Sequence, residues 1–197
     1  MSDCDCHKAS EEIKERSVLV TLLAINGFMF LVEIVLGILA DSTGLVADSL
    51  DMLADATVYG IALYAVGRAA SVKSKAARLS GWLQIALAAG VFLDILRRFL
   101  YGSEPDFWFM FGVGIAALIA NVICLALLAR HRKGEVHMRA SWIFSKNDVI
   151  ANLGIIVASL LVYMTDSPWP DLAIGALITV VVLRGGIQIL KNSSPDN

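Results

Sequence analysis

Charged residues are scarce in this chain. They make up 17% of its 197 residues, whereas an ordinary soluble domain carries about a quarter. Hydrophobic residues account for 57%, so a soluble globular enzyme is the wrong class. The 16 Lys and Arg nearly balance the 18 Asp and Glu, which gives a net charge of −2. Without a basic field to attract phosphates, a nucleic-acid partner is excluded.

Cysteine and catalytic motifs are also sparse. Of the three cysteines, Cys124 lies in an apolar stretch, and Cys4 and Cys6 are too close in sequence for an unstrained disulfide. The sequence has no nucleotide-binding loop, no His-Glu-x-x-His pair and no nucleophile elbow. We therefore expect no enzyme and no prosthetic group. The remaining enzymatic alternative is an intramembrane aspartyl protease, because such hydrolases use acids.

Long apolar runs dominate what is present. A bilayer crossing takes about 20 apolar residues, and six such runs fit into the chain. They lie at about 18–40, 43–67, 79–100, 107–129, 140–165 and 172–190. We expect an all-α membrane protein with six transmembrane helices, divided into a polar tail at 1–17, a membrane domain at 18–191 and a short tail at 192–197.

Basic residues are unevenly distributed between the two ends of these helices. The connections at 41–42, 102–106 and 166–170 contain no Lys or Arg, whereas twelve of the 16 basic residues lie at the opposite end. By the positive-inside rule that end is cytoplasmic, which places both termini in the cytoplasm. Arg97 and Arg98 are the exceptions, and Asp94 lies three and four residues before them as an ion-pair partner.

Acidic residues occur where a bilayer disfavours them. Helix 2 carries Asp48, Asp51 and Asp55, whose i, i+3, i+7 spacing puts them on one helical face. Helix 5 adds Asn147, Asp148 and Asn152. At a rise of 1.5 Å per residue, Asp55 lies about 21 Å from the turn before helix 2, and the helix 5 residues lie at about 20–25 Å. The two polar faces therefore meet at one depth.

These acids need a positive partner, because burial and mutual repulsion both oppose their ionisation. A divalent metal, protons, or the side chains of Lys146 and Arg184 are the candidates. The matched depth on two helices favours a cation site over a buried salt-bridge network. Glu33 in helix 1 is either an acid behind that site or a hydrogen-bonded bridge between helices.

The acidic face of helix 2 resembles a motif of the cation diffusion facilitator family, Leu-Ala-Asp-x-x-His/Asp-x-x-x-Asp. Here it reads Val46-Ala47-Asp48-Ser49-Leu50-Asp51-Met52-Leu53-Ala54-Asp55, with Asp51 and Asp55 on the two metal-ligand positions. The fifth-helix motif is matched in spacing by Met138-Arg139, Phe144 and Asp148. Further similarity extends through Asn26, Glu33, Gly37, Arg97-Arg98 and Asn121, and the resemblance covers 22–190.

The sequence departs from the family pattern in two places. Phe144 stands where the family has a His or Asp ligand, so Asn152, Asn147 or a water must complete the shell around Asp51, Asp55 and Asp148. Many members also continue into a cytoplasmic ferredoxin-like domain. This sequence stops at Asn197, and we expect that domain to be absent.

The resemblance implies a homodimeric metal–proton antiporter that exports divalent metal from the cytoplasm, in the inner membrane of a bacterium. Its partners would be metal ions, protons and the lipid bilayer. Without imidazole, the site should favour harder cations such as Mn²⁺ or Fe²⁺ more than a His-containing site does, with Zn²⁺ and Co²⁺ still possible. The alternative is a metal sensor or assembly partner that kept the fold but does not transport.

The N-terminal segment holds a second group of metal-ligand residue types. Cys4, Cys6 and His7 form Cys-x-Cys-His, which is either a soft-metal capture site or an inert tail. His131 and His137, in the basic connection before helix 5, are further residues of this kind.

Overall fold

The computed structural model describes the backbone of residues 3–65, 70–129 and 136–192, and most side chains from Arg16 onward. The described residues form six α-helices and no β-strand. The helices are α1 (Asp3–Leu39), α2 (Thr43–Ala65), α3 (Ala70–Tyr101), α4 (Phe107–Ala129), α5 (Val136–Thr165) and α6 (Trp169–Asn192). The all-α expectation is confirmed for these residues.

Five of these helices are long and apolar enough to cross a bilayer. The crossing segments are Arg16–Leu39, Ala77–Tyr101, Phe107–Ala129, Ser145–Thr165 and Trp169–Lys191. Helix α2 is not among them, because its 23 residues include three aspartates. Its length of about 35 Å nevertheless exceeds the hydrocarbon core, which is about 30 Å thick. Of the six helices predicted to span the membrane, five are therefore apolar enough to do so, and α2 is long enough but more polar.

The distribution of side chains is that of a protein surrounded by lipid. Large apolar side chains point outward, among them Phe28, Ile38, Trp108 and Met164, which are 63–77% exposed. Polar side chains point inward, as shown by Asn26, Glu33, Ser49, Asn121 and Asn152, which are at most 2% exposed. A continuous apolar exterior of this kind requires an apolar solvent. The chain is therefore an integral, multi-pass membrane protein.

Helix α2 lies at the centre of the bundle. The most extensive contacts pair α1 with α2, α4 with α5, and α3 with α6, and α2 also contacts α3, α4, α5 and α6. Three of the acids predicted to function, Asp48, Asp51 and Asp55, are thus on the helix that contacts each of the other five in the described part of the chain.

An aspartate from another helix caps the N-terminus of α2. Asp171, in the first turn of α6, is fully buried and accepts hydrogen bonds from the backbone N–H groups of Thr43 (2.6 Å) and Gly44 (2.9 Å). It also accepts one from the hydroxyl of Ser42, at 2.7 Å. Four residues further along α6, Gly175 lies so close that a Cβ there would stand 2.6 Å from a methyl carbon of Thr43. These contacts fix the start of α2 against α6.

An arginine holds the adjacent turn. Arg98 of α3, only 5% exposed, donates from Nε to Asp94 (2.6 Å), and its guanidinium also binds the carbonyl and carboxylate of Asp41. Asp41 adopts a left-handed φ of 48° in the α1–α2 turn, a conformation that Asp tolerates better than most residues. Arg97 pairs with the same Asp94 at 2.8 Å. The predicted ion pairs at the end of helix 3 are confirmed.

Several helices begin earlier than the apolar runs predict. Helix α1 begins at Asp3 rather than 18, α3 at Ala70 rather than 79, α5 at Val136 rather than 140, and α6 at Trp169 rather than 172. The predicted boundaries mark where the apolar residues begin, whereas the helical backbone hydrogen bonds already include the polar residues that precede them. The backbone of the expected polar tail is accordingly helical from Asp3 onward.

Replacing Asp171 tests the cap of α2. We expect Asp171→Ala to lower the free energy of unfolding by about 1–3 kcal/mol, because it leaves buried donors of the first α2 turn without an acceptor. The measurement is denaturation of the purified full chain in detergent. Glu104→Ala removes an exposed acid at the same end of the bundle and serves as the control. Equal stability of the two variants would contradict the cap.

Candidate metal site

Four carboxylates from two helices meet around a narrow crevice. Asp48 is 1% exposed and Asp148 is 9% exposed, while Asp51 and Asp55 are partly buried. The crevice is too narrow for a water-sized sphere and is lined by Asn26, Asp48, Asp51, Met52, Asp55, Asn121 and Asp148. The structure therefore brings together the acids that the spacing predicted on helices 2 and 5.

Asp148 is the residue that joins the two helices at this point. Its carboxyl group lies within hydrogen-bonding reach of that of Asp51, and it faces Asp55 and Asp48 as well. Two carboxyl groups in such contact need a cation between them, because two ionised carboxylates repel each other. Either a proton or a metal ion can fill this role.

A second space opens from the same carboxylates. This cleft, of ≈ 30 Å³, is lined by Asp51, Asp55, Val58, Gln84, Asn147, Asp148, Val181, Val182, Gly185 and Ile189. Apart from the acids, its walls come mostly from the half of each helix that lies away from the α1–α2 turn. The cleft thus leads from the acids toward the end of the bundle that carries most of the basic residues.

A chain of amide hydrogen bonds fixes one side of the site. Asn152 donates from Nδ2 to Oδ2 of Asp48 (2.7 Å), and its Oδ1 accepts from Nδ2 of Asn121 (3.0 Å). Both ends of the Asn152 amide are therefore engaged, and it lines neither cavity. The structure places Asn152 as a connection between α2, α5 and α4, while Asn147 is exposed at the cleft.

Tyr59 is a polar neighbour that the sequence reasoning did not single out. It is 2% exposed, and its hydroxyl donates to Oδ2 of Asp55 at 3.2 Å. Tyr59 follows Asp55 by four residues, so extending the acidic face of α2 by one turn would have found it.

No basic side chain neutralises these acids within the described residues. Lys146 and Arg184, the two candidates from the sequence, are both exposed, and neither forms a described ion pair. The described ion pairs all involve Arg97 or Arg98 near the α1–α2 turn. The salt-bridge alternative therefore finds no support in this part of the chain.

The carboxylates share a cavity without forming a closed coordination sphere. Among the described residues, no three His, Cys, Asp or Glu side chains are placed so that they could hold a metal ion together. The backbone of Phe144 lies one turn before Asp148 in α5, and its side chain is outside the described residues. The same holds for the side chains of Cys4, Cys6 and His7, and His131 lies outside them altogether.

Comparison with known proteins relates this architecture to metal transport. Residues 19–196 match the sequence model of the cation efflux transmembrane domain. The chain is 29% identical to the zinc transporter ZitB of Pectobacterium atrosepticum, across 95% of this chain and 62% of that protein. It is 24% identical to the metal cation efflux system protein CzcD of Cupriavidus metallidurans, across 93% and 64%.

A third relative is the cadmium, cobalt and zinc/H(+)-K(+) antiporter of Bacillus velezensis, at 23% identity across 95% of this chain and 64% of that protein. The chain thus spans less than two thirds of the length of the curated relatives it matches.

The amide chain generates a prediction about stability. We expect Asn152→Ala to lower the free energy of unfolding by about 1–2 kcal/mol, because it removes two interhelical hydrogen bonds at once. Asn121→Ala removes one of the same bonds, so the double variant should lose less than the sum of the single losses. Asn147→Ala, at an exposed position, is the control. Strict additivity in detergent denaturation would show that the two amides act independently.

Proposed function

The chain belongs to the cation efflux family, and from this membership and the acids between α2 and α5 we propose that it exports divalent metal cations from the cytoplasm in exchange for protons. The single observation that carries the proposal is the group of carboxylates inside the bundle, which has no basic partner among the described side chains. Acids kept in such a position are functional by default, because structure alone would not favour them.

We assign the metal to Asp51, Asp55 and Asp148. These three residues line both the crevice and the cleft, so they stand where the two spaces meet. Their oxygens would provide three anionic ligands once the carboxylates draw closer around the ion than they stand in this structure. The fourth ligand would be a water or the amide oxygen of Asn147, which lines the cleft, whereas Asn152 is already committed to Asp48 and Asn121.

An oxygen-only site bears on which metal is carried. The relatives are named for zinc, cadmium and cobalt. With Phe144 in place of an imidazole ligand, we expect the preference of this chain to move toward Mn²⁺ and Fe²⁺, with Zn²⁺ and Co²⁺ still accepted. The transported metal is the substrate, and no covalent step or prosthetic group is required.

Transport follows from competition between metal and protons for the same oxygens. Metal binding needs ionised carboxylates and so releases protons. The cleft would admit metal from the cytoplasmic end, and rearrangement of the helices around α2 would expose the site at the α1–α2 end. Protons would then occupy the carboxylates during the return.

We further propose how the chain is oriented in the membrane and how it assembles. The distribution of Lys and Arg favours a topology with both termini in the cytoplasm, in which α2 would be the sixth crossing helix. The relatives named here are bacterial, which favours the inner membrane of a bacterium. A homodimer is the assembly that the family resemblance implies.

Charge removal at each ligand tests the site. In proteoliposomes holding a metal-sensitive dye, we expect Asp51→Asn, Asp55→Asn and Asp148→Asn each to lower uptake at least about tenfold, because each loses one anionic ligand. Asp166→Asn makes the same change at an exposed turn position outside the site and should leave uptake unchanged. Uptake retained in all three ligand variants would refute the assignment.

The same vesicles distinguish transport from sensing. If the protein is a sensor, the wild-type chain should bind metal tightly and show no metal flux. Metal binding by equilibrium dialysis, measured beside uptake, therefore separates the two functions.

Proton competition gives transport a pH dependence of definite sign. Lowering the pH on the side where metal loads should raise the apparent KM, because protons compete for the carboxylates. Lowering the pH on the opposite side should speed uptake, since protons there drive the exchange. A protonophore should abolish the second effect. A flux that is indifferent to both gradients would contradict antiport.

A further inference from the structure

Glu33 is a buried acid that the proposed metal site does not use. It lies on α1 and is 0% exposed, and no N–H or O–H group of the described residues donates to either of its carboxyl oxygens. The group within hydrogen-bonding reach is the carboxyl group of Asp48, so a bridge between the two helices would need a proton or a metal ion held between the two acids. A carboxyl group that meets only another carboxyl group deep in a membrane bundle is costly, so its presence calls for a cation that arrives from elsewhere.

The groups that face Glu33 are themselves acids. Its carboxyl group faces that of Asp48 and, further away, that of Asp51. Asp48 is 1% exposed, and Asn152 donates to its Oδ2 at 2.7 Å. This hydrogen bond orients the Asp48 carboxylate without neutralising it. Glu33 and Asp48 thus form a pair of buried acids held by two different helices.

The Glu33–Asp48 pair lies closer to the α1–α2 turn than the proposed metal ligands do. Counting from the turn at Asp41, Glu33 lies about 12 Å deep, Asp48 about 10 Å, Asp51 about 15 Å and Asp55 about 21 Å, at 1.5 Å per residue. Asp48 lines the same crevice as Asp51, Asp55 and Asp148. The pair therefore lies between the proposed metal ligands and the α1–α2 end, on the side opposite the cleft.

We propose that Glu33 and Asp48 form a second cation position, which a divalent metal ion occupies on its way from the main site to the α1–α2 end. The proposal rests on the function proposed above. Two carboxylates supply oxygen ligands suited to the same metals. This second position has one carboxylate fewer than the main site, so it should bind the metal ion more weakly. Weak binding there is needed because the ion must leave it to exit the protein.

Glu33→Gln is the discriminating variant, since it removes the charge and keeps the shape. We expect maximal metal flux in proteoliposomes to fall about tenfold, while KM and the affinity of the main site for Mn²⁺ change less than about twofold. Glu33→Asp, which restores a carboxylate, should recover part of the flux. Glu104→Gln, at an exposed acid, is the matched control. Wild-type maximal flux in Glu33→Gln would overturn the proposal.

Counting bound Mn²⁺ gives a second readout that needs no flux. In full-length chain carrying Cys4→Ser, Cys6→Ser and His7→Ala, equilibrium dialysis should find one tightly and one weakly bound Mn²⁺. Glu33→Gln should lose the weak one alone, and Asp55→Asn should weaken the tight one. If Glu33→Gln does not fold, the number of Mn²⁺ ions bound by the chain that retains Glu33 still tests the proposal. A single bound Mn²⁺ at saturation would overturn the second cation position.

The two proposals fail in different ways. If the proposed function is wrong, the wild-type chain shows no flux and Asp55→Asn leaves Mn²⁺ binding intact. If only the second cation position is wrong, the wild-type chain still transports and tightly binds metal, and Glu33→Gln changes neither the flux nor the number of bound Mn²⁺ ions.

Discussion

Buried carboxyl groups on α2 are the constraint on which the rest of the structure depends. Asp48, Asp51 and Asp55 lie inside a bundle whose outer surface is apolar, and Asp148 of α5 faces them. Each ionised carboxylate there costs several kcal/mol, and no described basic side chain offsets that cost. The position of α2 at the centre of the described bundle shields these groups from lipid, and in the function that we propose a proton or a metal ion neutralises them.

The two halves of α2 are held differently. At its start, Asp171 caps the helix from α6, and Arg98 fixes the preceding turn to α3. In its second half, the acidic face borders a cleft that also touches α3, α5 and α6. In the export that we propose, a cation would enter through this cleft. Its release would require the anchored end to rearrange, and the Glu33–Asp48 pair lies on that side.

Features that depend on local periodicity are predictable from the sequence. Apolar runs locate the helices, and the i, i+3, i+7 spacing locates the acidic face of α2. Features that depend on packing between helices are not predictable in this way. Asn152 has the spacing of a ligand, yet it binds Asp48 and Asn121 because α4 lies beside it. No motif around Glu33 reveals that its carboxyl group meets that of Asp48. The Asp171 cap joins segments 127–129 residues apart.

The coordination shell of the bound metal tests the central claim most directly. X-ray absorption would be measured on zinc-loaded, full-length chain in which Cys4→Ser, Cys6→Ser and His7→Ala remove the N-terminal ligands. The account predicts one tightly bound zinc per chain with only oxygen neighbours, at about 2.0–2.2 Å. Sulfur scattering at about 2.3 Å, imidazole multiple scattering, or loss of tight binding would contradict a site made of Asp51, Asp55 and Asp148.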